Sequence, residues 1–267
     1  MSKIQDKDLS GTVMIVTGAG RGIGRDISAR AAMSGARVAL LEVDRATLSE
    51  TVEQITALGG DVRGYQVDLG VEKEVISTFA QVAKDFGRID VLVNNAMTHE
   101  SEDLLHTTLS MWESSLKVTL TGSFLCIREA LTIMIAQGAG NIINIGTVNA
   151  KVMLGSDAYS IAKAGLHAMT RTVAVRYGPA GIRCNTVVPG TIATDAWQSR
   201  VDRNPEVFEN LKPWYPIGRV GKPKDISEAV LFLASSKSEW MSGSELVVDG
   251  GLLAGPAPMF RIVEGSD

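Results

Sequence analysis

The stretch Val13-Met14-Ile15-Val16-Thr17-Gly18-Ala19-Gly20-Arg21-Gly22-Ile23-Gly24 decides the fold. Its first five residues, apolar and mostly β-branched, read as a strand buried on both faces, and the glycines after it let the chain turn sharply away. From Gly22 to Ser34 the pattern becomes that of an amphipathic helix, ended by Gly35. Such a turn puts no side chain between its backbone N–H groups and a phosphate, which the positive end of the next helix attracts. Gly18, Gly22 and Gly24 space as G-x-x-x-G-x-G; Ile23 departs from the general dinucleotide pattern. The same glycines would also serve a tight strand-to-helix connection that binds nothing.

Working outward, the unit repeats. Arg37 to Val43 precedes Ala46 to Leu58, and Val62 to Val67 precedes Glu72 to Phe86, with Gly59, Gly60 and Gly87 closing the helices. Asp90 to Val93, Asn141 to Ile145, Arg183 to Val188 and Glu245 to Val248 supply four more strands, with helical patterns at Ser110 to Ile135 and Ser156 to Tyr177. Alternation of this kind predicts an α/β fold: a single Rossmann-type domain, doubly wound, with a seven-stranded parallel sheet and helices on both faces. Seven of the eight prolines lie beyond position 188, so no proline-rich linker divides the 267 residues. We therefore expect one dinucleotide-binding catalytic domain over 1–251 that includes a substrate lid at 190–221, then a C-terminal tail at 252–267. The lid reads as a long loop holding Trp197, Trp214 and Tyr215.

Composition narrows the function. At 45% hydrophobic and 21% charged, the chain is neither disordered nor a disulfide scaffold. A net charge of -4, without long runs of one sign, argues against nucleic acid and anionic lipid as partners and leaves a small molecule. The unbroken apolar runs are short, so no membrane span is expected, and the charged start carries no secretory signal. Cys126 and Cys184 read as buried thiols, which fits a cytoplasmic location. His99, Glu100, Glu102, Asp103 and His106 match no metal-ligand spacing and read as a solvated loop; no metal is expected.

Glu42 ends the second strand 24 positions after Gly18, close to where an acid is expected to bind a ribose. A carboxylate there repels a 2′-phosphate, so NAD is favoured over NADP, although Arg21 and Arg45 offer charge that would neutralise one. Further on, Tyr159 and Lys163 stand four apart at the start of a helix, on one face. An ammonium beside a phenol stabilises the phenolate and lowers its pKa toward values useful for proton transfer.

Together, Thr17 to Gly24, Asn94-Asn95-Ala96, Tyr159 with Lys163, Pro189-Gly190 and Val248-Asp249-Gly250-Gly251 make the chain resemble the short-chain dehydrogenase/reductase family over about residues 9–251. The resemblance implies a nicotinamide cofactor, a homotetramer and reversible oxidation of an alcohol to a carbonyl. Tyr159 would be the general base, and Lys163 would hold the nicotinamide ribose and depress the tyrosine. The cofactor would meet Gly18, Arg21, Gly22, Ile23, Gly24, Glu42, Asp68, Leu69, Asn95, Ala96, Tyr159 and Lys163. Pro189, Gly190, Ile192 and Thr194 would contact its nicotinamide.

Three positions depart from the family pattern. Thr147, twelve before Tyr159, stands for the usual serine, and its hydroxyl would orient the substrate. Thr119 replaces the catalytic asparagine, with three roles open: binding a water, bending its helix by bonding the preceding carbonyls, or packing. Met97 replaces a glycine and narrows or reshapes the pocket floor. On the substrate side, His99, Asn149 and Trp197 are candidates, and the apolar tail is expected to dock on a neighbouring subunit. The expected activity is oxidation of a secondary alcohol, sugar or polyol carbon. The alternatives are an NADPH-dependent carbonyl reductase acting on an acyl, steroid or quinone substrate, and a catalytically silent dinucleotide-binding sensor or scaffold.

Overall fold

Every residue of β1 (Val13–Thr17) is buried, and alternation along it divides two cores. Val13 and Ile15 pack to one side, Met14 and Val16 to the other, as a side-chain period of two requires. The structure is a computed structural model that describes residues 9–98 and 103–265. After β1 come α1 (Gly22–Met33), β2 (Arg37–Glu42), α2 (Arg45–Ala57), β3 (Asp61–Gln66), α3 (Glu72–Phe86) and β4 (Val91–Asn94). The second half holds α4 (Leu109–Leu116), α5 (Ser123–Gln137), β5 (Gly140–Ile145), α6 (Asp157–Tyr177) and β6 (Ile182–Pro189). Then follow α7 (Gln198–Arg203), α8 (Val207–Leu211), α9 (Pro223–Ala234), β7 (Glu245–Val248) and α10 (Ala257–Glu264).

The strands form one sheet in the order β3-β2-β1-β4-β5-β6-β7, every neighbouring pair parallel. Val75, Phe79 and Val82 of α3, with Leu125, Cys126 and Ala130 of α5, cover one face. Ile27 and Ala31 of α1, Leu48 and Ile55 of α2 and Ile226 and Val230 of α9 cover the other. Burying each large side chain of this kind contributes about 1.5–3 kcal/mol. The expected fold is the observed one. Cys126 and Cys184 are buried and unpaired.

Two details differ from expectation. The helical run Leu109–Gln137 is long and apolar enough to cross a membrane, which counting unbroken apolar runs overlooks because Lys117, Thr119 and Thr121 interrupt it. Half of its most apolar stretch is buried inside the domain, against α3, α6, β4 and β5, as suits a helix of the core. The lid, expected as a loop, carries α7 and α8. Its ends meet in a parallel bridge between Ile192 and Gly221.

Candidate functional site

Reversal of strand order between β1 and β4 opens a crevice at the carboxyl edge of the sheet, where α/β folds take their ligands. A cleft of about 260 Å³ lies there. Gly18 adopts φ +62° and Gly22 φ +55°, the left-handed region that side chains avoid. At Gly24 a Cβ would stand 2.1 Å from the Gly18 carbonyl oxygen, so only glycine lets α1 pack against the turn. The turn is tied down at Gly20, whose carbonyl accepts from Arg25 Nε (3.0 Å) and Nη2 (2.6 Å) and from the Thr51 hydroxyl (3.0 Å). Arg21, the N-cap of α1, makes no side-chain cap, which leaves the first N–H groups of the helix for an acceptor.

Gly18, Arg21, Gly22 and Ile23 line the cleft, as do Glu42, Asp68, Leu69, Asn95, Ala96 and Thr194. Glu42 is held by backbone: Oε2 accepts from Gly20 N (3.0 Å), and Oε1 from Val43 N (2.9 Å) and Asp44 N (3.2 Å). Asp68 accepts from Gly70 N at 2.7 Å. Asn95 donates its side-chain amide to the carbonyls of Thr17 (2.9 Å) and Gly18 (3.0 Å), joining β4 to the glycine turn. The bare glycines, open helix end and adjacent carboxylates fit a dinucleotide. Gly190 and Ile192 lie elsewhere, in a separate cavity of about 110 Å³ beneath the lid, and Pro189 ends β6. Val118, Thr98 and Ala196 also line the cleft. Sequence reasoning missed them because their place depends on how the Leu109–Gln137 helix and the lid pack, which no local motif marks.

One strand further along, β5 carries the groups expected to react. Thr147 follows its end and hydrogen-bonds the Tyr159 hydroxyl. Lys163, 1% exposed, donates from Nζ to the Ile145 carbonyl at 2.5 Å and stands 5.8 Å from the Tyr159 ring centroid. Burial pushes the Tyr159 phenol up to about 12, against the pull of the Thr147 hydrogen bond, and pushes Lys163 down to about 7. The lowering expected of Lys163 is not among the influences acting on the tyrosine in the chain by itself. In the chain by itself desolvation dominates both groups, and the ammonium faces a carbonyl.

Thr119, fully buried, lies in a π-helical turn over residues 117–122 between α4 and α5. Its hydroxyl donates to Thr98 O (3.2 Å) and accepts from Thr98 N (3.1 Å). The hydroxyl thus bonds a neighbouring segment and not the preceding carbonyls of its own helix. The backbone itself widens the helix, and Thr119 pins the helix to the strand end that carries Met97. Asn149 turns inward: its side-chain nitrogen donates to Gly155 O (3.0 Å), and its Oδ1 accepts from the Thr147 hydroxyl (3.4 Å). Trp197 packs on Phe208 at 5.5 Å between ring centroids, with the Arg200 guanidinium 4.8 Å over its ring. Tyr215 is buried and its hydroxyl accepts from Thr191 N at 2.9 Å, whereas Trp214 is half-exposed, so the lid aromatics serve separate ends. His106 bonds Asp103 at 2.8 Å; His99, Glu100 and Glu102 lie outside the described residues.

Residues 18–253 match the family model described as enoyl-(acyl carrier protein) reductase, a branch of the short-chain oxidoreductases. The chain belongs to the short-chain dehydrogenase/reductase family. It is 36% identical to the human (3R)-3-hydroxyacyl-CoA dehydrogenase, a match covering 94% of this chain and 98% of that one. A solved short-chain dehydrogenase/reductase from Burkholderia thailandensis superimposes with a TM-score of 0.89 at 39% identity, covering 96% of this chain and 98% of the other. A third relative, from Beutenbergia cavernae, is described as an NAD(P)-dependent gluconate 5-dehydrogenase and carries NADP at low occupancy. It is 29% identical, with a TM-score of 0.88 and coverage of 94% and 100%. Short-chain dehydrogenases are NAD(P)-dependent oxidoreductases, and this chain is one.

Proposed function

We propose that the protein is an NAD-dependent dehydrogenase that oxidises a secondary alcohol to the carbonyl, with Tyr159 as general base. The observation that carries this reading is the meeting of Thr147, Tyr159 and Lys163 one strand from a cleft built on bare glycines. Residues 18–24, Glu42 and Asp68 would hold a nicotinamide dinucleotide, which would supply the hydride acceptor. Tyr159 takes the hydroxyl proton, Thr147 orients the substrate oxygen, and Lys163 would hold the nicotinamide ribose and, once charged, favour the phenolate. NAD over NADP rests on Glu42, whose carboxylate repels a 2′-phosphate.

Exposed apolar side chains favour a second reading of the substrate. Leu104, Leu105 and Leu109 follow β4, and Val152, Met153 and Leu154 follow β5, at the carboxyl edge that holds the site. A rim of this kind suits a hydroxyl carried on an apolar or acyl chain better than a polyol. A homotetramer in the cytoplasm is the assembly and place we assign.

Following reduced-nicotinamide absorbance with NAD or NADP against polyols, cyclic alcohols and 3-hydroxyacyl thioesters tests both substrate readings. The Tyr159→Phe variant should keep cofactor binding and lose roughly 10²-fold or more of turnover; full activity would refute the mechanism. Because the phenol is raised, oxidation should speed up as pH rises above neutral and reduction should slow. A flat profile would count against phenolate as the base.

A further inference from the structure

Behind the reacting face of α6 lies a polar group that none of the steps above uses. His167 stands one helical turn beyond Lys163 and is 4% exposed. Its Nδ1 lies 3.3 Å from Glu245 Oε1, at the start of the edge strand β7. Its Nε2 has no hydrogen-bond partner among the described residues and presses on Gly146, where a Cβ would come within 2.2 Å of it. Arg171 reaches the same Glu245 oxygen at 3.3 Å, and Lys151 pairs with the other.

Gly146 is the middle of the three residues on which the site hangs. The Ile145 carbonyl seats Lys163, Gly146 N donates to Val187 O at 2.8 Å, and Thr147 meets Tyr159. The strand end is thus set between Val187 on one side and His167 on the other. A leucine at 167 would fill the space without leaving a nitrogen unpaired. The imidazole adds a polar contact with Glu245, whose other oxygen pairs with Lys151 at the far end of segment 146–151, the segment that carries Thr147 and Asn149.

We propose that His167, anchored by Glu245, is a positioning residue for the proton-transfer pair: it braces the Ile145–Gly146 peptide and so fixes the seat of Lys163 and the hydroxyl of Thr147. This rests on the reading of Tyr159 and Lys163 as the reacting groups. The brace works as a neutral ring. Burial holds His167 below the usual imidazole value, Lys151, Lys163 and Arg171 push the same way, and Glu245 opposes them. Protonation would aim an N–H at Gly146 and set a second positive charge one turn from Lys163.

The test needs a readout independent of substrate: the titration of Lys163 in the full chain, followed by NMR of lysine labelled at the ε-carbon and assigned with Lys163→Met. The His167→Phe variant keeps a ring but loses the contact with Glu245; His167→Asn keeps an N–H near the place of Nδ1. In His167→Phe the Lys163 midpoint should fall by about half a unit or more, since a displaced carbonyl no longer favours the charged form. With the preferred substrate, kcat should fall about tenfold while the cofactor KM stays within about twofold, as for an interaction made in the transition state. His167→Asn should recover most of both. If His167→Phe does not fold, His167→Leu, which fills the same space without a ring nitrogen, is read the same way. An unmoved midpoint with unchanged kcat, or equal losses in the phenylalanine and asparagine variants, overturns the proposal. A moved midpoint beside a fully active Tyr159→Phe would instead sink the dehydrogenase mechanism and leave the brace standing.

Discussion

At Glu42 one carboxylate meets two demands. It accepts three backbone N–H groups, from Gly20, Val43 and Asp44, and it lines the cleft where a ribose would lie. Replacing it by alanine would confound the two, because the freed N–H groups would loosen the glycine turn. Glu42→Gln keeps an acceptor oxygen and removes the charge that excludes a 2′-phosphate. The ratio of kcat/KM for NADP to that for NAD should then rise about tenfold, equivalent to about 1.4 kcal/mol. An unchanged ratio in steady-state assays would remove Glu42 as the selector. Residue types in the site were largely legible from sequence, because glycine, tyrosine, lysine and acid each answer a fixed chemical need. Directions were not. That Asn149 turns back on Gly155 and that Lys163 faces Ile145 depend on partners brought close only by folding.

Among the elements, the π-helical turn at residues 117–122 is the least regular and the most consequential. Its Thr119 hydroxyl satisfies both backbone groups of Thr98, in the segment past β4 that the pairing with β1 and β5 does not reach. Thr119→Val keeps the shape and drops both bonds. It should cost about 1–3 kcal/mol, the usual penalty for stranding buried polar groups, seen as a lower denaturant midpoint with unchanged slope. A loss below about 0.3 kcal/mol would mean that water replaces the hydroxyl freely. Sequence bounds were good where the pattern was uninterrupted: Val13–Thr17, Glu72–Phe86 and Glu245–Val248 read the same in both. The π turn left no trace, because one extra residue in a helix barely disturbs an apolar period. As sequence, α10 reads only as an apolar tail, although Met259, Phe260, Ile262 and Val263 fall on helical spacing.

At the scale of the molecule, lid and tail act on each other. α10 packs against the turn at residues 212–214 of the lid, yet Met259, Phe260, Ile262 and Val263 stay exposed. We expect that face to rest on a neighbouring subunit. Deleting residues 256–267 should reduce the assembly in sedimentation and raise the substrate KM by about tenfold, a loss of binding near 1.4 kcal/mol. Unchanged mass and kinetics would refute the docking.

The bridge between Ile192 and Gly221 carries a different consequence. Gly221 N donates to Thr191 O at 2.8 Å, and Ala193 N to Gly221 O at 2.9 Å, so entry and exit of the lid are stitched together at the sheet. What lies beyond the stitch is in effect a cassette. Its length can change at the small, logarithmic cost of a longer loop, while β6, α9 and the glycine turn keep their register. Provided Tyr215, which reaches back to Thr191, travels with it, residues 193–220 form a unit that can be exchanged between relatives. New specificities on this scaffold can therefore be made by transplantation rather than by redesign of the sheet.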